Sequence, residues 1–303
     1  MNRVREQIHC ENMVQAPTGK GVTIAVLDTG ISMHPDVKDR ILDFKDFVNG
    51  RKTPYDDSGH GTHVCGIACG DGFASAGTYK GIAPDANLVV GKILDKNGDG
   101  AMENMVEAIL WVLQNMKKYN IRILNISVGV GKMLNSIKEE KLKEKLESAW
   151  DKGLLVVCAA GNNGPAKNSL SEIGKSKQLI TVGCHDGEAF LDKPNRCATY
   201  CARGSMYDTI RKPDIVAPGT EIISCNKDFR ENRGRFANAY ITKSGTSMAT
   251  PIVSGALALL LEKYPEYDNE TAKRRLLYSA KDLREPWYLQ GWGMIDVANM
   301  LHV

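Results

Sequence analysis

The sequence predicts an α/β fold in which a mainly parallel β-sheet is flanked by helices. Three observations carry this. Short β-rich runs recur at Val22–Leu27, Leu88–Leu94, Ile121–Val128, Leu154–Cys158 and Leu179–Val182. Most are almost wholly apolar rather than alternating, the pattern of strands buried on both faces. Between them lie segments with apolar residues at helical spacing, and strands alternating with helices fold into parallel sheets covered by helices. With no linker-like stretch and no internal repeat, the 303 residues read as one domain over residues 21–303, preceded by an arm over residues 1–20.

Taken in order, the arm Met1–Lys20 is mixed and polar and reads as a disordered extension. The run Val22–Leu27 ends in Asp28-Thr29-Gly30, a carboxylate followed by turn residues. Val64–Ala68 starts a buried helix just after Gly59-His60-Gly61-Thr62-His63. Met102–Tyr119 is helical, and the spacing of Met102 and Met105 suits the lining of an outer apolar pocket and ordinary core equally. Leu134–Trp150 sets Leu134, Ile137, Leu142, Leu146 and Trp150 on one face and leaves Lys138–Glu147 as its wet face. The strand around Val156 ends in Gly161-Asn162-Asn163-Gly164, and Ser244–Pro251 opens a buried helix through Leu260.

Composition removes several classes of function. A net charge of +3 gives no electrostatic footprint for nucleic acid. The longest apolar run, Ile252–Leu261, is broken by Ser254 and is too short to span a membrane. The first ten residues lack the apolar core of a secretory signal, and the eight cysteines are scattered, so free thiols in a reducing, cytoplasmic compartment are expected. Cys197 and Cys201 alone do not supply the four ligands of a zinc site. Asp95–Gly100 begins like an EF-hand loop, but its twelfth position is Val106, not the bidentate glutamate.

Three segments hold groups suited to nucleophilic catalysis: Asp28 at a strand end, glycine-flanked His60, and Ser247 at the start of a buried helix. Singly, each has a structural reading, as a turn, a core histidine or a helix cap. Together, in the chain order Asp, His, Ser, they resemble the subtilisin-like serine proteases, over roughly Gly21–Ala298. The resemblance implies a three-layer subtilisin-like fold and a serine endopeptidase with Asp28, His60 and Ser247 as its triad. It assigns His63 a structural place and makes Asn162 the oxyanion-hole donor. It also puts a peptide or protein substrate, as an added strand, between Ile126–Gly129 and Asn97–Gly100. Gly98, Asp99, Gly100, Ser127, Val128 and Gly129 are the expected cleft residues, with Ala159, Ala160, Gly161 and Asn163 edging the pocket before the scissile bond.

The chain also departs from the family pattern. Ile173 stands before Gly174 where many members have proline. Asp36 matches one ligand of a calcium site common in the family, but the loop Asp71–Thr78 lacks the asparagines that complete it. Asp36 is therefore expected in a turn or cap; no cofactor is needed for the chemistry, no metal ligands are assigned, and a structural calcium at a different site stays open. Leu134–Trp150 and Asn226–Tyr240 lengthen the gap from His60 to Ser247 and read as surface elaborations. The alternative is an inert subtilase-like chain that binds peptides without cutting them.

Overall fold

The computed structural model of the chain describes residues 1–11, 16–127, 136–187 and 196–302. A parallel sheet lies at its centre, in the order β2-β3-β1-β4-β5-β6-β7. These strands are β1 (Thr23–Asp28), β2 (Ile41–Asp46), β3 (Asn87–Lys92), β4 (Ile121–Ile126), β5 (Leu155–Ala159), β6 (Ile180–Cys184) and β7 (Ile215–Ala217). Every residue of β1, β5 and β6 is buried, which explains why these runs read as continuous apolar stretches. Edge strand β2 is half exposed, and its sequence Ile-Leu-Asp-Phe-Lys-Asp carried no such signal.

β1 pairs with β3 on one side and β4 on the other, so chain order reverses beside it. In open parallel sheets such a switch point opens a crevice beyond the carboxyl ends of the strands. Asp28, the last residue of β1, stands at that point.

Helices α2 (His60–Cys69) and α5 (Thr246–Lys263) are almost entirely buried; α3 (Met102–Tyr119) and α4 (Ser136–Asp151) are amphipathic. In α4, Leu142, Leu146 and Trp150 face the core and most of Lys138–Glu147 stays wet, although Glu139 is buried and accepts from the Glu172 N–H. Met105 is core, while Met102 is half-buried. An antiparallel pair, β8 (Ile222–Cys225) and β11 (Tyr240–Lys243), carries the exposed hairpin β9 (Arg230–Asn232) and β10 (Arg235–Ala237). All eight cysteines are free and buried, Cys197 and Cys201 among them. None of the helices among the described residues is long and apolar enough to cross a membrane.

The arm corrects an expectation. Residues Asn2–Gln7 form helix α1, and Met1, Val4, Ile8 and Cys10 are buried in the main core. The arm is pinned by polar contacts as well. The Arg3 guanidinium donates to Thr220 O, Arg5 to Gly81 O at 2.6 Å, and the Val297 N–H to Ile8 O at 2.8 Å. A six-residue helix has too few apolar positions to reveal a period, so its docking was invisible in sequence. Truncating a fully buried isoleucine costs about 2–5 kcal/mol. Ile8→Ala is therefore expected to lower unfolding free energy by that amount in urea titration; an unchanged midpoint would detach the arm from the core.

Candidate active site

Asp28 is fully buried at the end of an apolar strand, where a carboxylate must find donors. Its Oδ1 accepts the Thr29 N–H and the Nδ1–H of His60, each at 2.7 Å. Donation from Nδ1 fixes the neutral ring with Nε2 as the acceptor. His60 is the first residue of α2, and a quarter of its side chain remains exposed. Burial lowers the pKa of His60, but the charge and hydrogen bond of Asp28 outweigh it and hold the ring above its usual 6.5.

α2 can start here because of Asp56. This buried carboxylate accepts from the N–H groups of Ser58, Gly59 and Thr62 and from the hydroxyls of Thr29 and Thr62. It therefore satisfies donors at the helix N-terminus and ties that terminus to the residue after Asp28. Gly61 permits the approach: a Cβ there would lie 2.1 Å from Gly30 O and 3.2 Å from the Cβ of Asp28. From the other side Lys92, also fully buried, donates to Thr29 O, Leu94 O and Asp57 Oδ1, each at 2.7 Å. Neither Asp56 nor Lys92 was singled out in sequence; a lysine ending an otherwise apolar strand was the available signal.

Ser247 comes to the same edge on α5. Both helices leave the carboxyl edge of the sheet, so they run parallel. Their packing fixes their register, since a Cβ on Gly255 would meet Ala68 O at 3.0 Å. Eight residues back along each helix stand Ser247 and His60. Ser247 is 8% exposed, and among the described residues its hydroxyl makes no hydrogen bond. Such contacts in ligand-free sites commonly close only on substrate binding.

Asn162 follows β5 and is exposed. Its Oδ1 accepts from Thr246, from the N–H at 3.0 Å and the hydroxyl at 3.1 Å, which turns Nδ2 away as a free donor direction. A Cβ on Gly245 would lie 3.4 Å from Nδ2, so the amide sits against the turn that leads into Ser247.

The expected cleft residues divide. Gly161 is half-buried and Asn163 exposed, but Ala160 is fully buried between Leu170 and Ala202 and cannot meet a ligand. Ala159 is buried at the end of β5. Gly98, Asp99 and Gly100 are accessible, yet Lys96 and Asn97 form a turn, held by the Gly98 N–H on Asp95 O at 3.1 Å, rather than a ready strand edge. Asp95 closes that turn by accepting from the N–H groups of Asn97 and Asp99. Ser127 is buried, its hydroxyl bonded to the Asn125 amide at 2.9 Å; Val128 and Gly129 lie outside the described residues. Ile173 is buried in the core beside Gly174. His63 is buried too, its Nε2 at 3.1 Å from the carbonyls of both Ile222 and Ile241, and burial holds its pKa down at about 3.

A profile of the subtilase family matches residues 19–293. The chain is 38% identical over 293 residues to Serine protease AprX of Bacillus subtilis, spanning 91% of this chain but 65%, less than two thirds, of that protein. It is 34% identical over 290 residues to Subtilisin BL of Lederbergia lenta, covering 93% of this chain and 94% of the relative. Among solved structures it resembles Sphericase, with a TM-score of 0.81, 29% identity and 97% of both chains covered.

Asp36 is more than a turn or cap. Its buried carboxylate accepts the Ala74 N–H at 2.9 Å on Oδ1 and the Tyr240 hydroxyl at 2.7 Å on Oδ2, with His34 and Cys225 alongside. Calcium takes six to eight oxygen ligands. A thiol, an imidazole and a carboxylate already engaged by two donors do not fit that ion. Tyr240→Phe leaves the buried Asp36 Oδ2 only the weak Cys225 thiol donor at 3.9 Å, a loss of about 1–3 kcal/mol. Thermal unfolding is expected to register this loss.

Proposed function

Because the chain belongs to the subtilase family, we propose that it is a serine endopeptidase acting through Asp28, His60 and Ser247. The contact of Asp28 Oδ1 with His60 Nδ1 at 2.7 Å, at the helix edge shared with Ser247, carries this reading. In this mechanism His60 Nε2 takes the Ser247 proton as the hydroxyl attacks the peptide carbonyl. The tetrahedral oxyanion accepts from Asn162 Nδ2 and from the Ser247 N–H at the start of α5, where the helix dipole favours negative charge. His60 then protonates the leaving amine. Water, deprotonated by the same ring, cleaves the acyl-enzyme. Asp28 orients His60 and stabilises its charged form. Substrates are peptides or proteins, and the eight free thiols suit work in a reducing cytoplasm.

A fluorophosphonate probe is expected to label the chain and not Ser247→Ala; an unlabelled native chain would instead support the inert peptide-binding alternative. Asn162→Ala should lower kcat by about 10²–10³, the cost known for such a donor from subtilisin itself. Only neutral His60 can act as the base, and Asp28 holds its pKa above 6.5. Activity should therefore rise with pH through a limb lying above 6.5. Asp28→Asn removes the group that raises the pKa, so the limb should move to lower pH while kcat falls about 10⁴-fold. The pH profile of kcat/KM checks both.

A further inference from the structure

The proton that His60 gives up goes to the leaving amine, so the residues after the scissile bond depart past His60, away from Ala159–Gly161. The wall on that side is the β8–β11 pair, tied to the first turn of α2 by the contacts of His63 with Ile222 O and Ile241 O. β11 ends at Lys243, directly before the Ser244–Ser247 segment. Lys227 lies across Gly59, the residue before His60: a Cβ on that glycine would meet its Cγ at 3.1 Å and its Cδ at 3.0 Å.

This wall is cationic. Residues 227–243 hold Lys227, Arg230, Arg233, Arg235 and Lys243 against Asp228 and Glu231, which is 5 − 2 = +3, equal to the net charge of the whole chain. The remainder of the molecule is thus neutral. Lys227 pairs with exposed Asp228 at 2.7 Å, a surface pair that screens it only partly. Lys243 is half-buried and takes part in none of the ion pairs among the described residues. Its charge reaches the cleft, acting against protonation of both His60 and His63.

We propose that Lys243, supported by Lys227, makes the leaving-group side of the cleft a subsite for acidic residues, so that cleavage is favoured where Asp or Glu follows the scissile bond. The inference rests on the peptidase reading above and adds a substrate class to it. An accessible ion pair of this kind contributes up to about five-fold, and two acidic residues offer two such pairs.

The test uses three internally quenched peptides, identical up to the scissile residue and followed by Asp-Glu, Ala-Ala or Lys-Lys. They are assayed at low salt and at a pH above the His60 limb. The native chain is expected to cleave the acidic peptide about five-fold or more faster in kcat/KM than the Ala peptide, with the Lys peptide slowest, and the preference should shrink as salt screens it. Lys243→Ala should flatten the ratios and Lys243→Glu invert them. The readout is a ratio within each variant, so a general loss of rate cancels. Equal cleavage of all three peptides, or a preference undiminished in Lys243→Ala, overturns the subsite alone. A chain that cuts none of them and takes up no fluorophosphonate overturns the peptidase reading and the subsite with it.

Discussion

A carboxylate buried at the tip of an apolar strand organises this molecule. Asp28 ends an interior strand of a sheet whose faces are covered, and an ion there is tolerable only if donors are brought to it. One donor is local, the Thr29 N–H. The other comes from a helix that must start at the right height and angle. Asp56 holds that start, Lys92 holds the turn behind Asp28, and Gly61 lets the helix come close enough. Remove any of these and the imidazole loses the partner that sets its tautomer and raises its proton affinity.

The rest of the site follows from helix geometry. Two helices leaving the same edge of a parallel sheet bring their N-termini together, one carrying His60 and the other Ser247. In the proposed mechanism the positive end of α5 then faces the oxyanion. Asn162 completes this arrangement only because Thr246, one residue before Ser247, occupies its carbonyl oxygen. The helix that carries Ser247 therefore also orients the neighbouring Asn162 amide.

Much of this was legible in the sequence, for reasons that differ by element. Strands such as β1 and β5 announced themselves because burial on both faces demands unbroken apolar residues. Asp28, His60, Asn162 and Ser247 stood out because each interrupts such a run beside glycines or at a helix start. Their supports did not. The bonds from Thr29 to Asp56, from Lys92 to Thr29 and from Thr246 to Asn162 span 27, 63 and 84 residues, and no local pattern encodes such distances. The docked arm escaped for a different reason: Met1, Val4 and Ile8 keep helical spacing, but so few apolar positions in a six-residue helix do not stand out from a polar stretch. Burial of Ala160 could not be read from its sequence, because small residues near a pocket serve equally as its lining or as the packing behind it.

The contact between Gly255 and Ala68 has a mechanical consequence. It lies well down both helices, remote from any substrate, yet it is where one rod rests on the other. The spacing of hydroxyl and imidazole is thus governed partly by a pivot buried in the interior. A side chain added at residue 255 would press first on the Cβ of Ile82 at 2.7 Å and then on Ala68 O of α2 at 3.0 Å, so α5 would shift relative to α2 and carry Ser247 with it. The chemistry at the surface is only as well aligned as this hidden joint is tight.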